Sequence, residues 1–240
     1  MIYSFSCTRS KELSETSKNL ENYLEEKLKA DHTWLTGEAS IFQAYSRVFS
    51  VLKHDPGVYD TDIVIFCHDD IEIWDEPDWV EEVLYKHCIN AKNGFIGPAG
   101  TTLLENDAVW WDMTRRQAGW HRGFVWQGKG RHEYYPNYFG PPGRVAVLDG
   151  LFLAASVGTL KQIDLTKPKD FNGEWDFYDI WYTSQANSKG LINMAAPIHI
   201  LHNSPGELAG RESWMQNRIA FINNHKFPIT CLGAKPLFGS

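Results

Sequence analysis

A short apolar segment that ends in ionisable side chains constrains this chain more than any other feature. Residues 62–67 are rich in apolar and β-branched side chains, which is typical of a strand buried on both faces. His68, Asp69 and Asp70 follow directly. Because ligands of open α/β sheets bind at the carboxyl ends of the strands, these side chains are candidates for a binding site.

Two interpretations of Asp69 and Asp70 are open from this segment alone. The acids could cap the turn that follows the strand, which is a common structural use of aspartate. They could instead bind a divalent cation, because carboxylates concentrated at one place need a positive partner. Motifs farther along the chain favour the cation.

Composition places the chain among soluble globular proteins. A formal charge of −7 disfavours a nucleic-acid surface, which needs clustered Lys and Arg. No apolar run approaches the roughly 20 residues of a membrane helix, and no signal-peptide pattern opens the chain, so we expect a cytoplasmic protein. The spacing of the cysteines favours buried thiols over disulfides or a zinc site: Cys7, Cys67, Cys88 and Cys231.

Hydrophobic periodicity predicts an α/β fold. The first predicted elements are strands at 2–7, 62–67 and 94–97 and helices at about 10–29, 41–52 and from 75 onward. This order implies a mostly parallel, mixed central sheet flanked by helices. We expect one domain over residues 1–240, with a nucleotide-binding half at 1–100 and an acceptor-binding half at 101–240. Periodicity disappears at 101–144, which predicts a long irregular loop.

Two further apolar runs, at residues 145–155 and 191–201, predict buried strands. Asp149 and Gly150 interrupt the first of them. A charged side chain inside such a run needs a partner, either a nearby basic side chain or a hydroxylated ligand. Between the two runs, residues 171–187 predict a helix.

Four short motifs then fall in a recognisable order. They are His68-Asp69-Asp70, Leu148-Asp149-Gly150, Phe177-Tyr178-Asp179 and His202-x-Ser204-x-Gly206. Together they resemble the GT-A fold glycosyltransferases, and among them a family-two-like group, over residues 37–222. The resemblance implies a Rossmann-like domain that binds a nucleoside-diphosphate sugar.

The resemblance also implies a role for each matching residue. Asp70 and His202 are the predicted ligands of a Mn²⁺ or Mg²⁺ ion on the donor diphosphate, with His199 as the alternative histidine. A set with at most one imidazole favours these ions over zinc. Asp179 is the predicted base of an inverting reaction, and Asp176 and Glu174 are the alternatives. The remaining candidates are His68, Asp69, Asp149 and Gly150 for the donor and Trp175 and Tyr178 for the acceptor.

The implied activity is transfer of a sugar, from a UDP-sugar by preference, to a hydroxyl of a glycan or another acceptor. A non-processive enzyme is expected because the Q-x-x-R-W signature of processive relatives is missing. Two alternatives remain: a metal-dependent hydrolase of a sugar or phosphate ester, and a non-catalytic module that binds a sugar or nucleotide. Residues 204–212 are a candidate lid or a plain connecting loop.

Overall fold

A computed structural model describes residues 1–128, 132–204 and 211–238 of the chain. The helices are α1 (Glu15–Asn22), which continues into a π-helical segment (Tyr23–Lys27), α2 (Ile41–Leu52), α3 (Pro77–Cys88), α4 (Met113–Gln117), α5 (Val157–Leu160), α6 (Tyr178–Ser188) and α7 (Glu212–Asn224). The strands are β1 (Ile2–Cys7), β2 (Asp31–Leu35), β3 (Ile63–His68), β4 (Ile71–Ile73), β5 (Asn93–Gly97), β6 (Ala99–Thr101), β7 (Leu103–Leu104), β8 (His121–Gly128), β9 (Tyr134–Gly140), β10 (Gly143–Val145), β11 (Val147–Leu148), β12 (Phe152–Ser156), β13 (Ile192–Ala195), β14 (Ile200–His202) and β15 (Ile229–Thr230).

A seven-stranded mixed sheet forms the centre, in the order β10-β13-β5-β12-β3-β1-β2. Three of its six pairings are parallel, namely β1 with β2, β1 with β3, and β5 with β13. Helix α2 packs against β1, α3 against β3, β5 and β12, and α6 against β5 and β13. The predicted mixed sheet flanked by helices is therefore confirmed, although half of its pairings, rather than most, are parallel. Residues 63–67 of β3 are at most 1% exposed, as expected for a strand buried on both faces.

A second sheet lies beyond the carboxyl end of β3. Its order is β11-β6-β8-β14-β4, and β9 pairs with β8. The antiparallel pairing of β14 with β4 sets His202 opposite Ile71, and the parallel pairing of β14 with β8 sets His202 beside Gln127. Because β4 follows β3 after a two-residue turn, this register carries His202 to the carboxyl end of β3.

The prediction of a long irregular loop at 101–144 is wrong. This region contains α4 and the antiparallel hairpin of β8 and β9. In β8, His121, Gly123 and Val125 are buried, while Phe124 and Trp126 on the other face are half-buried. The two-residue period of a strand is hidden in the sequence because two of the outward positions are aromatic and two of the inward ones are His and Gly.

Some predicted boundaries also move. Helix α1 begins at Glu15 with Ser14 as its N-cap, whereas the Ser10 side chain closes a small turn with Glu12. Strand β2 was missed because it is an edge strand whose exposed side chains break the apolar pattern. The run at 191–201 divides into β13 and β14, which belong to different sheets.

The four cysteines are buried and free, which confirms the prediction of buried thiols. Burial raises the pKa of the Cys7, Cys67 and Cys88 thiols to about 12. In the part of the chain that the structure describes, every helix is too short or too polar to cross a membrane.

Helix α7 is fastened to the segment before α6 through one buried amide. The Asn217 side chain accepts a hydrogen bond from the Gly173 N–H (2.8 Å) and donates to the carbonyls of Gly173 (3.0 Å) and Asp176 (2.9 Å). Asn217 is fully buried, so water cannot replace these bonds if the side chain is removed.

We therefore expect Asn217→Ala to lower the free energy of unfolding by about 2–4 kcal/mol, because buried backbone groups lose their partners. Asn224→Ala on the same helix is the control, since the Asn224 side chain is exposed. It should change the free energy by less than about 0.5 kcal/mol. Denaturant titration of both variants measures the difference, and equal effects would contradict this account.

Candidate active site

The ends of several strands bring the predicted motifs to one edge of the central sheet. The parallel pairing of β1 with β3 sets Cys7 beside His68. Residues 149–151 precede β12 at the same edge, where the His68 N–H donates to the Leu151 carbonyl (3.0 Å). Two motifs about 80 residues apart in the sequence therefore lie side by side at this edge of the sheet.

Two histidines and one aspartate form a cluster at this edge. Asp70 Oδ1 lies 3.5 Å from His202 Nε2 and 3.8 Å from His68 Nδ1. One donor atom from each of the three residues lies within 4.8 Å of the others. The Asn203 N–H donates to the Asp70 carbonyl (2.8 Å) and so fastens β14 to the turn after β3. The predicted pair of Asp70 and His202 thus comes together, and His68 joins it.

The pKa shifts in this cluster keep Asp70 negatively charged, which suits the binding of a cation. Burial favours the neutral form of Asp70, but His202 and His68 outweigh burial and lower its pKa to about 2. Burial lowers the pKa of His68, whereas Asp70 raises the pKa of His202 in spite of burial. Asp70 Oδ1 is shielded from solvent and accepts no hydrogen bond. An unpaired buried oxygen between imidazole nitrogens fits a divalent metal.

The predicted ligand set differs from the cluster in its number of imidazoles. The sequence predicted at most one imidazole, but the cluster contains two, from His68 and His202. Imidazole nitrogen is a poor ligand for Mg²⁺, whereas Mn²⁺ accepts mixed nitrogen and oxygen sets. The second imidazole therefore removes the argument by which the sequence favoured Mn²⁺ or Mg²⁺ over zinc, and it disfavours Mg²⁺.

Asp179 lies in the first turn of α6, beside the cluster. Burial, and after it the negative charge of Asp149, raise the pKa of Asp179 to about 7. The backbone amides of Ile180, Asp179 and Gly150 oppose the shift without cancelling it. A carboxyl group with this pKa can take up a proton near neutral pH, as a general base must.

Gly150 and Tyr178 are in close contact between the cluster and Asp179. The Tyr178 hydroxyl donates to the Gly150 carbonyl (2.7 Å) and lies 2.8 Å from His68 Nε2. A Cβ atom at Gly150 would lie 2.4 Å from the Tyr178 oxygen and 2.8 Å from Asp179 Cβ. Gly150 is therefore required for the approach of both side chains, a role that its predicted donor contact did not include.

The predicted acceptor residues lie in different surroundings. Tyr178 is only 4% exposed, and its hydroxyl donates to the Gly150 carbonyl. It therefore lies in the protein wall of the site, where little of it is open to an acceptor. Trp175 precedes α6 and lies outside the helix that the sequence predicted over 171–187. Its indole N–H donates to the Ala39 carbonyl (2.9 Å), and the Arg9 guanidinium lies 4.7 Å from its ring centre. Arg9 was missed, although its position directly after β1 was a signal.

These groups share one cavity of about 830 Å³. Asp69 and Asp149 line it together with the cluster and Asp179. The carbonyl of Asp69 accepts from Ser17 Oγ (3.0 Å), and the Leu151 N–H donates to Asp149 Oδ1 (3.2 Å). Side chains of the missed hairpin and of its neighbours complete the wall, among them Arg116, Gln127, Asn137, Phe139, Trp110, Trp111 and Trp214.

The alternative candidates are engaged elsewhere. Asp176 is buried and accepts from Ser213 Oγ (2.7 Å), and Glu174 pairs with Lys167. His199 is exposed and pairs with Asp75 (2.8 Å), away from the cluster. These contacts favour Asp179 and His202 over the alternatives. The candidate lid at 204–212 falls on residues 205–210, which lie outside the described residues, as does Gly206 of the fourth motif.

Over residues 6–204 the chain matches the protein family described as "Glycosyltransferase like family". The chain belongs to this family. A search of the curated proteins finds no match. The membership agrees with the resemblance that the four motifs carry.

The fold of this glycosyltransferase-like chain is similar to that of known structures. The crystal structure of GalNAc-T7 with UDP, GalNAc and Mn²⁺ has 10% sequence identity and a TM-score of 0.50, over 91% of this chain and 41% of that one. The chain thus spans less than half the length of GalNAc-T7. The crystal structure of A197 from STIV has 10% identity and a TM-score of 0.45, over 83% of this chain and 80% of that one. The predicted GT-A class is confirmed.

The raised pKa of Asp179 predicts an effect on stability. An Asp that ionises near pH 7 in the folded state, and near pH 3.8 when unfolded, favours folding less and less as pH rises from about 4 to 7. Asp179→Asn removes this penalty, so its melting temperature should exceed that of the unaltered protein at pH 8 and converge with it toward pH 4. Each kcal/mol corresponds to about 2–4 °C for a chain of this length.

Calorimetric melting at both pH values measures this difference. Asp164→Asn, an exposed change without contact to the cavity, should give a difference that does not grow with pH. A melting temperature of Asp179→Asn below that of the unaltered protein at pH 8 would contradict the buried, disfavoured charge.

Proposed function

We propose that this chain is a metal-dependent glycosyltransferase that moves a sugar from a nucleoside-diphosphate sugar, by preference a UDP-sugar, to an acceptor hydroxyl. Transfer is non-processive and inverts the anomeric carbon. Family membership supports glycosyl transfer. Metal dependence and a single base are supported by one observation: the cluster around the unpaired Asp70 oxygen shares a cavity with Asp179, whose pKa is about 7.

The cavity has the size and the chemistry for this substrate. A volume of about 830 Å³ lies within the range of roughly 300–1,000 Å³ of small-molecule sites. Asp70 and His202 would hold the cation, and when bound the cation offsets negative charge on the diphosphate as a Lewis acid. His68, Asp69, Asp149 and Gly150 border the same end and are the proposed donor contacts.

The reaction needs a single base. The acceptor oxygen forms a bond to the anomeric carbon, the bond from that carbon to the diphosphate oxygen breaks, and the electron pair leaves with the diphosphate. Asp179 takes the proton of the acceptor hydroxyl as attack proceeds. Direct displacement of this kind inverts the anomeric carbon.

The acceptor is proposed to bind at the aromatic part of the cavity. Trp175 contributes a half-buried ring backed by Arg9, and Trp111 packs against Trp214 with ring centres 5.6 Å apart. Flat apolar rings suit the apolar faces of a sugar. A glycan is therefore the favoured acceptor class, with Trp175 as the first contact to test. Tyr178, which was also predicted to contact the acceptor, is buried in the wall of the same cavity.

Metal-dependent binding of the nucleotide tests the donor end. UDP should bind the protein in the presence of Mn²⁺, more weakly with Mg²⁺, and at least about 100-fold more weakly in Asp70→Ala or His202→Ala, since each change removes a ligand. His199→Ala is the matched control and should bind UDP normally, because His199 contacts Asp75 instead. Isothermal titration measures all four proteins. Equal losses in His199→Ala and His202→Ala would overturn the assignment.

The pH dependence of transfer tests the base. With Mn²⁺ and donor saturating, the rate should rise about tenfold per pH unit up to pH 7 and level off above it, because Asp179 must be ionised to accept a proton. Asp179→Asn should keep UDP binding, lower transfer by roughly 10²–10⁴-fold and lose the ionisation near pH 7. Release of UDP, measured with and without acceptor, reports the rate.

The same assay separates the alternatives. Release of UDP that is equally fast without acceptor would favour the hydrolase. Binding of UDP-sugar without turnover under any acceptor would favour the binding module. Transfer that is unaffected by Asp179→Asn would contradict the base.

A further inference from the structure

The Tyr178 hydroxyl has only one proton, and its neighbours determine where that proton lies. The Gly150 carbonyl, 2.7 Å away, can only accept a hydrogen bond. The hydroxyl therefore donates to Gly150. Its second partner, His68 Nε2 at 2.8 Å, must then donate to the hydroxyl oxygen.

This arrangement fixes the tautomer of His68. A neutral imidazole carries one proton, and here that proton lies on Nε2, so Nδ1 keeps its lone pair. Nδ1 is the nitrogen that faces Asp70, with 3.8 Å between it and Oδ1. That distance is too long for a hydrogen bond and leaves room for an ion bound to both atoms.

We propose that His68 Nδ1 is a third protein ligand of the cation and that Tyr178 is the positioning residue that holds His68 in the ligating tautomer. This inference rests on the proposed function, since it concerns the same cation site. It gives His68 a contact with the metal in addition to the donor contact that the sequence predicted. The chain of contacts runs from the Gly150 carbonyl through Tyr178 to His68.

The surroundings of Tyr178 hold this chain of contacts rigid. The ring packs edge-on against Phe42, Tyr45 and Tyr182, with centres 5.9–6.4 Å apart. Gly150 lies so close that any larger side chain would displace the hydroxyl. Because packing fixes the position of the Tyr178 hydroxyl, it can orient the His68 ring before an ion binds. Residues that hydrogen-bond to a metal-ligating histidine commonly have this role.

The first test measures Mn²⁺ affinity without nucleotide, by titration followed by electron paramagnetic resonance. Tyr178→Phe keeps the packed ring and removes only the oxygen, and should weaken Mn²⁺ binding about 10–100-fold. Tyr182→Phe is the matched control. It removes a buried hydroxyl from the same helix, one that donates to the Leu165 carbonyl (2.8 Å), and should leave the affinity unchanged.

The second test separates a positioning role from a general loss of structure. In a His68→Ala background, Tyr178→Phe should cause no further loss of Mn²⁺ affinity, because Tyr178 acts only through His68. Pulsed resonance of bound Mn²⁺ should detect two coupled imidazole nitrogens in the unaltered protein and one in His68→Ala. Nitrogen NMR of the metal-free protein should show the His68 proton on Nε2, and redistribution of that proton in Tyr178→Phe.

The outcomes distinguish this inference from the proposed function. Loss of Mn²⁺ binding in His202→Ala but not in His68→Ala would overturn the third ligand and leave the proposed function standing. A His68 proton on Nδ1 in the metal-free protein would overturn the role of Tyr178. If the unaltered protein bound no Mn²⁺, the proposed metal dependence would fail first, and the third ligand with it.

Discussion

The site depends on one carboxylate oxygen, Asp70 Oδ1, held between two imidazoles and shielded from solvent. A charged oxygen that accepts no hydrogen bond is costly, and two strand ends and one turn fix its position. Strand β3 supplies His68, the turn after it supplies Asp70, and β14 supplies His202 through its pairing with β4.

Each motif recognised in the sequence provides one part of this arrangement, and the parts depend on one another. The glycine of Leu148-Asp149-Gly150 gives Tyr178 room, and its carbonyl accepts a hydrogen bond from the Tyr178 hydroxyl. The aspartate adds to the effect of burial in raising the pKa of Asp179. Tyr178 in turn contacts His68. The motifs therefore constrain each other through contacts, so a change in one alters the chemistry assigned to another.

Much of the site could be predicted from the sequence, but only where a local pattern carries the information. Acids directly after a buried strand indicated Asp70, and the order of the motifs indicated His202. The contacts of Tyr178 with Gly150 and His68 join positions 28 and 110 residues apart, and no local pattern reports such distances. The hairpin of β8 and β9 was missed for a different reason, since aromatic side chains on its outer face conceal the alternation of a strand.

Two carboxylates in one cavity have pKa values shifted in opposite directions, because imidazoles outweigh burial at Asp70 whereas no positive neighbour among the described residues offsets burial at Asp179. Imidazoles lower the pKa of Asp70 to about 2, whereas burial and Asp149 raise that of Asp179 to about 7. The first stays ionised, as the proposed metal ligand must, and the second exchanges a proton near neutral pH, as the proposed base must. Asp149 lines the same cavity, and its charge also helps Asp70 to raise the pKa of His202 in spite of burial. Asp149 therefore adds to the effect of burial at Asp179 and to the effect of Asp70 at His202.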